Sequence, residues 1–186
     1  MNQSTGNYDQ YGVAVDGSFA VYLLANYNVD ITGKTITAGI SWTNTVGTAL
    51  TAFATRSASC SSGSYVRLEF QDVTAGPYNP NDYWWSTASL DLNAMAAGNL
   101  TVSLGDRTTW TNMIGAPATD TTTTSWLNWN TGLVEPMDTP YNGFTKATKN
   151  VKQIGLSFGN ACSYASGVAV VGDTGTFTMT SFTVTP

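Results

Sequence analysis

Apolar residues recur at every second position through much of this chain, which is the period of a strand with one buried face. Residues 34–42 set Ile36, Ala38, Ile40 and Trp42 against Thr35, Thr37, Gly39 and Ser41, so Trp42 belongs with the core. Residues 65–70 put Val66, Leu68 and Phe70 on one side and Tyr65, Arg67 and Glu69 on the other. Leu100, Val102 and Leu104 mark a further strand, as do Ile154, Leu156 and Phe158. Shorter β-runs are expected at 19–27, 49–55 and 168–171, with an edge strand around Tyr11, Val13 and Val15 and a loose start over 1–10. In 177–184 the phase changes: Phe177 and Met179 take one side, Phe182 and Val184 the other, and a β-bulge near Thr180 and Ser181 reconciles them. Nine to eleven short strands with little helix predict an all-β fold, an antiparallel two-sheet β-sandwich of jelly-roll type in one domain over 1–186.

Three stretches stand out from this pattern. Residues 115–142 show no sustained period and are expected to be a long loop carrying Trp126 and Trp129, which either cap one end of the sandwich or form a binding lip. A short helix is expected over 144–150, where Lys146, Lys149 and Lys152 recur at helical spacing as one solvated face. The third stretch follows the turn formers of 75–82 and reads Tyr83, Trp84, Trp85, Ser86. Successive strand residues point to opposite sides. Trp84 and Trp85 therefore face different environments, and Tyr83 shares the side of Trp85. One indole is expected to anchor the core while the other stands outside as a flat apolar plate.

Composition narrows the setting. Hydrophobic residues make up 42% of the chain but charged residues only 10%, so the surface is polar without being charged, as in extracellular β-proteins and unlike disordered chains or coiled coils. A net charge of -5 without a basic cluster argues against nucleic acid. No run of 18 apolar residues suggests a membrane-spanning helix. Residues 1–7 carry no basic and apolar leader, so a secreted protein is expected to have lost its leader, with Met1 a start codon added for expression. The two cysteines, Cys60 and Cys162, lie among small polar residues and are expected to join two loops as a disulfide, two free thiols being the alternative.

The chain has no histidine, which removes Ser-His-Asp and Cys-His nucleophiles and His-based metal sites. A carboxylate pair is the remaining route to hydrolysis, and it needs two carboxyls roughly 5 to 9.5 Å apart. Of the glutamates, Glu69 lies on a strand and Glu135 in the long loop, so a glycosidase using Glu69 is the minor alternative. Binding is better supported. A pyranose ring stacks its C–H face on an aromatic plate and offers hydroxyls to planar polar groups. Tyr83 with Trp84 or Trp85 supplies the plate; Tyr65, Arg67, Glu69, Asn79, Asn81 and Asp82 are the nearest polar candidates.

Short motifs bring a resemblance. Residues 151–159 (Val-Lys-Gln-Ile-Gly-Leu-Ser-Phe-Gly), 164–168 (Tyr-Ala-Ser-Gly-Val) and 175–184 resemble the closing strands of carbohydrate-binding modules of the galactose-binding-like jelly-roll superfamily. Residues 29–37 (Val-Asp-Ile-Thr-Gly-Lys-Thr-Ile-Thr) are similar to their early strand, and 83–86 resembles a stretch in secreted bacterial proteins of the same layout. The resemblance implies a non-catalytic module that binds a polysaccharide or glycan, alone or beside a catalytic domain of a larger parent protein. Many such modules hold a structural calcium with an Asp in the final strand. Here Thr180 occupies that place, so the family's ligand set does not carry over, and Asp16, Gly17 and Asp173 remain candidate oxygen donors for a possible structural calcium. The rival to binding and to hydrolysis is a secreted or cell-surface adhesion domain in which the aromatic triplet only packs.

Overall fold

The structure is a computed structural model and describes residues 18–19, 21–24, 28–44, 51–52, 63–72, 79–161, 164, 167–169 and 175–186. The expected edge strand around Tyr11, Val13 and Val15, the disulfide of Cys60 and Cys162, and the calcium donors Asp16, Gly17 and Asp173 all lie outside the described residues. In chain order the strands are β1 (Ser18–Phe19), β2 (Val21–Leu24), β3 (Thr35–Asn44), β4 (Thr51–Ala52), β5 (Tyr65–Gln71), β6 (Tyr83–Ser86), β7 (Leu90–Asp91), β8 (Ala97–Ser103), β9 (Trp110–Asn112), β10 (Ser125–Leu127), β11 (Val134–Pro136), β12 (Gln153–Gly159), β13 (Val168–Ala169) and β14 (Gly175–Thr185), with one helix, α1 (Pro140–Thr148), after β11.

Two antiparallel sheets form a sandwich, beside a short three-stranded antiparallel sheet, β1-β13-β4. The larger runs β2-β12-β5-β6-β9, with β7 pairing the start of β5 beyond the short β6; the smaller runs β14-β3-β8. Each alternating stretch turns its apolar side inward. Ile36, Ala38 and Ile40 of β3, with Leu100 and Val102 of β8, meet Val66, Leu68 and Phe70 of β5 and Ile154, Leu156 and Phe158 of β12 in one buried cluster. Phe158 and Phe177 pack edge to face across the two sheets, with centroids 4.8 Å apart. Trp42 is half-buried against this core and donates its indole N–H to Met95 O (2.9 Å).

The phase change in the last strand is a bulge. Phe177 and Met179 pair with Trp42 and Ile40, the register shifts between Met179 and Ser181, and Phe182 and Val184 then pair with Ala38 and Ile36. Opposite the shift stands Gly39, whose N–H is accepted by Ser181 Oγ (3.2 Å). A Cβ at that position would come within 2.5 Å of the same oxygen, so any larger residue would have to turn the Ser181 and Thr180 side chains aside.

The expected long loop at 115–142 is instead structured. Residues 125–136 fold into a two-stranded hairpin of β10 and β11, and Pro140 already belongs to α1. The helix begins four residues earlier than its apolar spacing implied, because Thr139 caps it, accepting from Asn142 N, and Pro140 fills the first position, where a missing N–H costs nothing. Lys146 lies on α1 and pairs with Asp138, but Lys149 caps the helix end and Lys152 lies beyond it, donating to Asn28, so the three lysines do not form one helical face.

Candidate functional site

Backbone pairing decides which side chains share the outer face of the larger sheet. Glu69 pairs with Trp85 on one side and Gly155 on the other, Arg67 with Ser157, and Gln71 with Tyr83 and Gln153. Paired residues project to the same side of a sheet. Tyr65, Arg67, Glu69, Gln71, Tyr83, Trp85, Gln153 and Ser157 therefore form one surface, joined by Tyr164 from the segment after β12. Trp84, paired with Phe70, projects to the core. Of the two indoles, Trp85 is thus the one on the site face.

The face is a continuous run of planes. Tyr83 and Trp85 stack with centroids 6.4 Å apart and an interplanar angle of 16°. Trp85 meets Tyr164 edge-on at 6.4 Å. The Arg67 guanidinium sits 4.2 Å from the centre of the Tyr164 ring and 5.3 Å from that of Tyr65. Arg67 is anchored from above by Asn160 O, which accepts from Nη1 at 3.1 Å, and Ser157 Oγ donates to Tyr164 O at 2.7 Å. Tyr65, Tyr83, Tyr164, Gln71 and Gln153 are half-buried and form a rim.

Beneath the rim lies a polar floor. Glu69 is 1% and Arg67 5% exposed. Burial pushes the Glu69 carboxyl up to about 7, against the opposing pull of Gln71, Trp85 and Ser157. Only Gln71 bonds it with full geometry, Nε2 donating to Oε1 at 2.6 Å. Arg67 Nε, Glu69 Oε2 and Trp85 Nε1 are buried without a hydrogen-bond partner. Polar atoms left short of a full hydrogen bond on one face are costly, since each forgoes water, and the looser approach of Trp85 and Ser157 to the Glu69 carboxyl offsets only part of that cost.

Several sequence expectations change here. Neither tryptophan of the triplet stands outside: Trp84 is fully buried and Trp85 is 7% exposed, because Tyr83 and Tyr164 cover it. Trp84 is held by its indole N–H, which donates to Asn81 O at 2.6 Å, and by an edge-to-face contact with Phe144 of α1. Asn81 is no ligand contact but a buried link: it donates to Asp138 O, accepts from Asn112 Nδ2, and packs under Gly143. Asn79 caps the turn before β6 by accepting from Asn81 N. Asp82 lies beside Asp72 at the end of the β5–β6 pairing, its carbonyl accepting from Asp72 N at 3.2 Å. Burial and the Asp82 carboxylate raise Asp72 to about 7, and burial raises Asp82 as well.

Trp126 and Trp129 lie apart from this face, on β10 and the turn after it; Trp126 is buried and Trp129 exposed. Residues the sequence reading missed are Gln71, Gln153, Ser157 and Tyr164. The first three follow from strand pairing, which no local pattern announces. Among the described residues Glu69 is the one carboxylate central to the face. Asp91, opposite Tyr65, sits four residues farther along the strand, roughly 13 Å, beyond the separation a glycosidase pair uses. No three His, Cys, Asp or Glu among the described residues gather as a metal site. Among the described residues, the shallow depression between Trp42, Leu92 and Met95 belongs to the other sheet and is too small to hold a water molecule. No family model, curated protein or solved structure matches this chain.

Proposed function

We propose that this chain is a secreted, non-catalytic carbohydrate-binding module of jelly-roll type, which holds a polysaccharide or glycan on the outer face of its larger sheet. One observation carries the reading: Tyr65, Arg67, Glu69, Tyr83 and Trp85 share that face with Tyr164 as a run of planes above unpartnered polar atoms. The half-buried tyrosines offer flat surface for pyranose C–H groups, and the Gln71 and Gln153 amides lie at the rim for ring hydroxyls. A sugar hydroxyl both donates and accepts, so it can meet either end of these rim amides. Below about pH 7 Glu69 is neutral, which suits a neutral ligand. Attachment to a catalytic domain of a larger parent protein fits such a module.

A second reading is an adhesion domain without a sugar site, favoured by the near-complete burial of Trp85. Retardation in gels containing a panel of polysaccharides, with a glycan array, separates the two. Tyr83→Ala and Tyr65→Ala alter the half-buried rim while leaving the core intact, and each is expected to weaken glycan retention about two- to tenfold, the loss of one aromatic contact. Retention that is absent in the wild type, or unchanged in both variants with folding verified by circular dichroism, would dismiss the sugar reading.

A further inference from the structure

The outer side of the smaller sheet carries hydroxyls in a regular order. Ile36, Ala38 and Ile40 of β3, Leu100 and Val102 of β8, and Phe182 and Val184 of β14 turn to the core, so the residues alternating with them turn to solvent. Backbone pairing sets these in straight ranks. Thr185, Thr35 and Ser103 form one, Thr183, Thr37 and Thr101 the next, and Ser181, Gly39 and Asn99 a third. Because partners stand directly opposite, the grid is rectangular, with neighbours about 4.8 Å apart across the strands and about 6.8 Å apart along them.

The grid is neutral and held in place. No charged or aromatic side chain stands in the three ranks, although β8 and β14 are the sheet's edges among the described residues, where charges are the usual guard. Thr101, Thr183 and Thr185 are exposed, and Thr35, Thr37 and Ser103 are half-buried beside their neighbours. Thr37 Oγ1 and Thr101 Oγ1 share a hydrogen bond of 3.1 Å, and β-branching leaves both side chains few other rotamers. Such a face offers no charge to an ion and no aromatic plane to a sugar ring. It does match a solid whose oxygen atoms recur at both spacings. The prism face of hexagonal ice has one repeat near the strand separation and the other near the two-residue rise. A hydroxyl on the grid can then stand in for a lattice water, with the threonine methyls in the gaps between. Twist turns each outer strand only about 20° from β3, so the match covers a patch three strands wide.

We propose that this face adsorbs to the prism surface of ice through Thr35, Thr37, Thr101, Ser103, Thr183 and Thr185. Adsorption sums many weak contacts made at once, and a rigid sheet makes them with little further ordering of side chains. The activity is independent of the sugar reading, since the two faces lie on opposite sides of the sandwich.

The purified full chain tests this in a nanolitre osmometer and by partition into a slowly growing ice hemisphere. The wild type is expected to hold an ice crystal without growth across a gap between melting and freezing, to shape it, and to enter the ice. Thr101→Lys and Thr183→Lys each raise a long charged side chain above an exposed flank of the grid. Each is expected to lose most of the gap and the ice partition with an unchanged circular dichroism spectrum, and either serves if the other unfolds. Thr121→Lys makes the same exchange at an exposed position away from this sheet and is expected to retain both. A wild type that shows no gap and is excluded from the ice, folded grid variants that match it, or an equal loss in Thr121→Lys would overturn the proposal.

Discussion

Glu69 gives this protein a pH dependence opposite to that of most carboxylates. It is buried on a sheet face between Arg67 and Gln71, and burial raises its pKa from 4.5 to about 7. Between those values the folded chain keeps a proton that the unfolded chain releases. Unfolding free energy therefore falls as pH rises from about 4.5 to about 7 and is level above. Linkage over that interval amounts to about 3 kcal/mol. Asp72, also raised to about 7, acts in the same direction, but it is partly open to water and its share is cut by screening. Asp30 and Asp120, lowered by hydrogen bonds from threonines at 32, 122 and 123, contribute stability that is lost as pH drops below about 4. Stability is thus expected to peak near pH 4 to 5. Glu69→Gln preserves the volume, and its side-chain oxygen still accepts from Gln71, but it does not titrate. Urea unfolding of both proteins from pH 4.5 to 8.5 is the assay. The wild-type midpoint should fall from pH 4.5 to about 7 and then level off; the variant should lose most of that slope and exceed the wild type at pH 8 by up to about 3 kcal/mol. A wild-type midpoint that is flat or rising, or an equal slope in the variant, would show that Glu69 ionises in the fold at ordinary cost and that the floor is not dry.

Two further outcomes bear on the frame around the site. Gly39→Ala should cost about 1–3 kcal/mol in urea unfolding, because the new methyl meets Ser181 Oγ and Thr180 Oγ1 at the bulge; a variant as stable as wild type would refute the close approach. Trp84→Ala should cost about 3–5 kcal/mol, since it empties the space against Phe144 and strands Asn81 O, and a loss below about 1 kcal/mol would contradict its place in the core.

Strand periodicity by itself determined the β-sandwich, the inward sides of β3, β5, β8 and β12, and the bulge in β14, because alternation with period two is a local property of a half-buried strand. It also placed Tyr83 on the side of Trp85 and Tyr65 with Arg67 and Glu69. Alternation does not tell which of two faces is covered, or by what. The burial of both Trp84 and Trp85 was decided by Phe144 on α1 and by Tyr164, which are distant in sequence. The hairpin at 125–136 escaped notice because its strands are three residues long and half its apolar side chains point outward, so no period develops. Gln71, Gln153 and Ser157 joined the face through the register of β5 with β12 and β6, a pairing between segments more than 80 residues apart in the case of β12, and only tertiary structure can supply such a pairing.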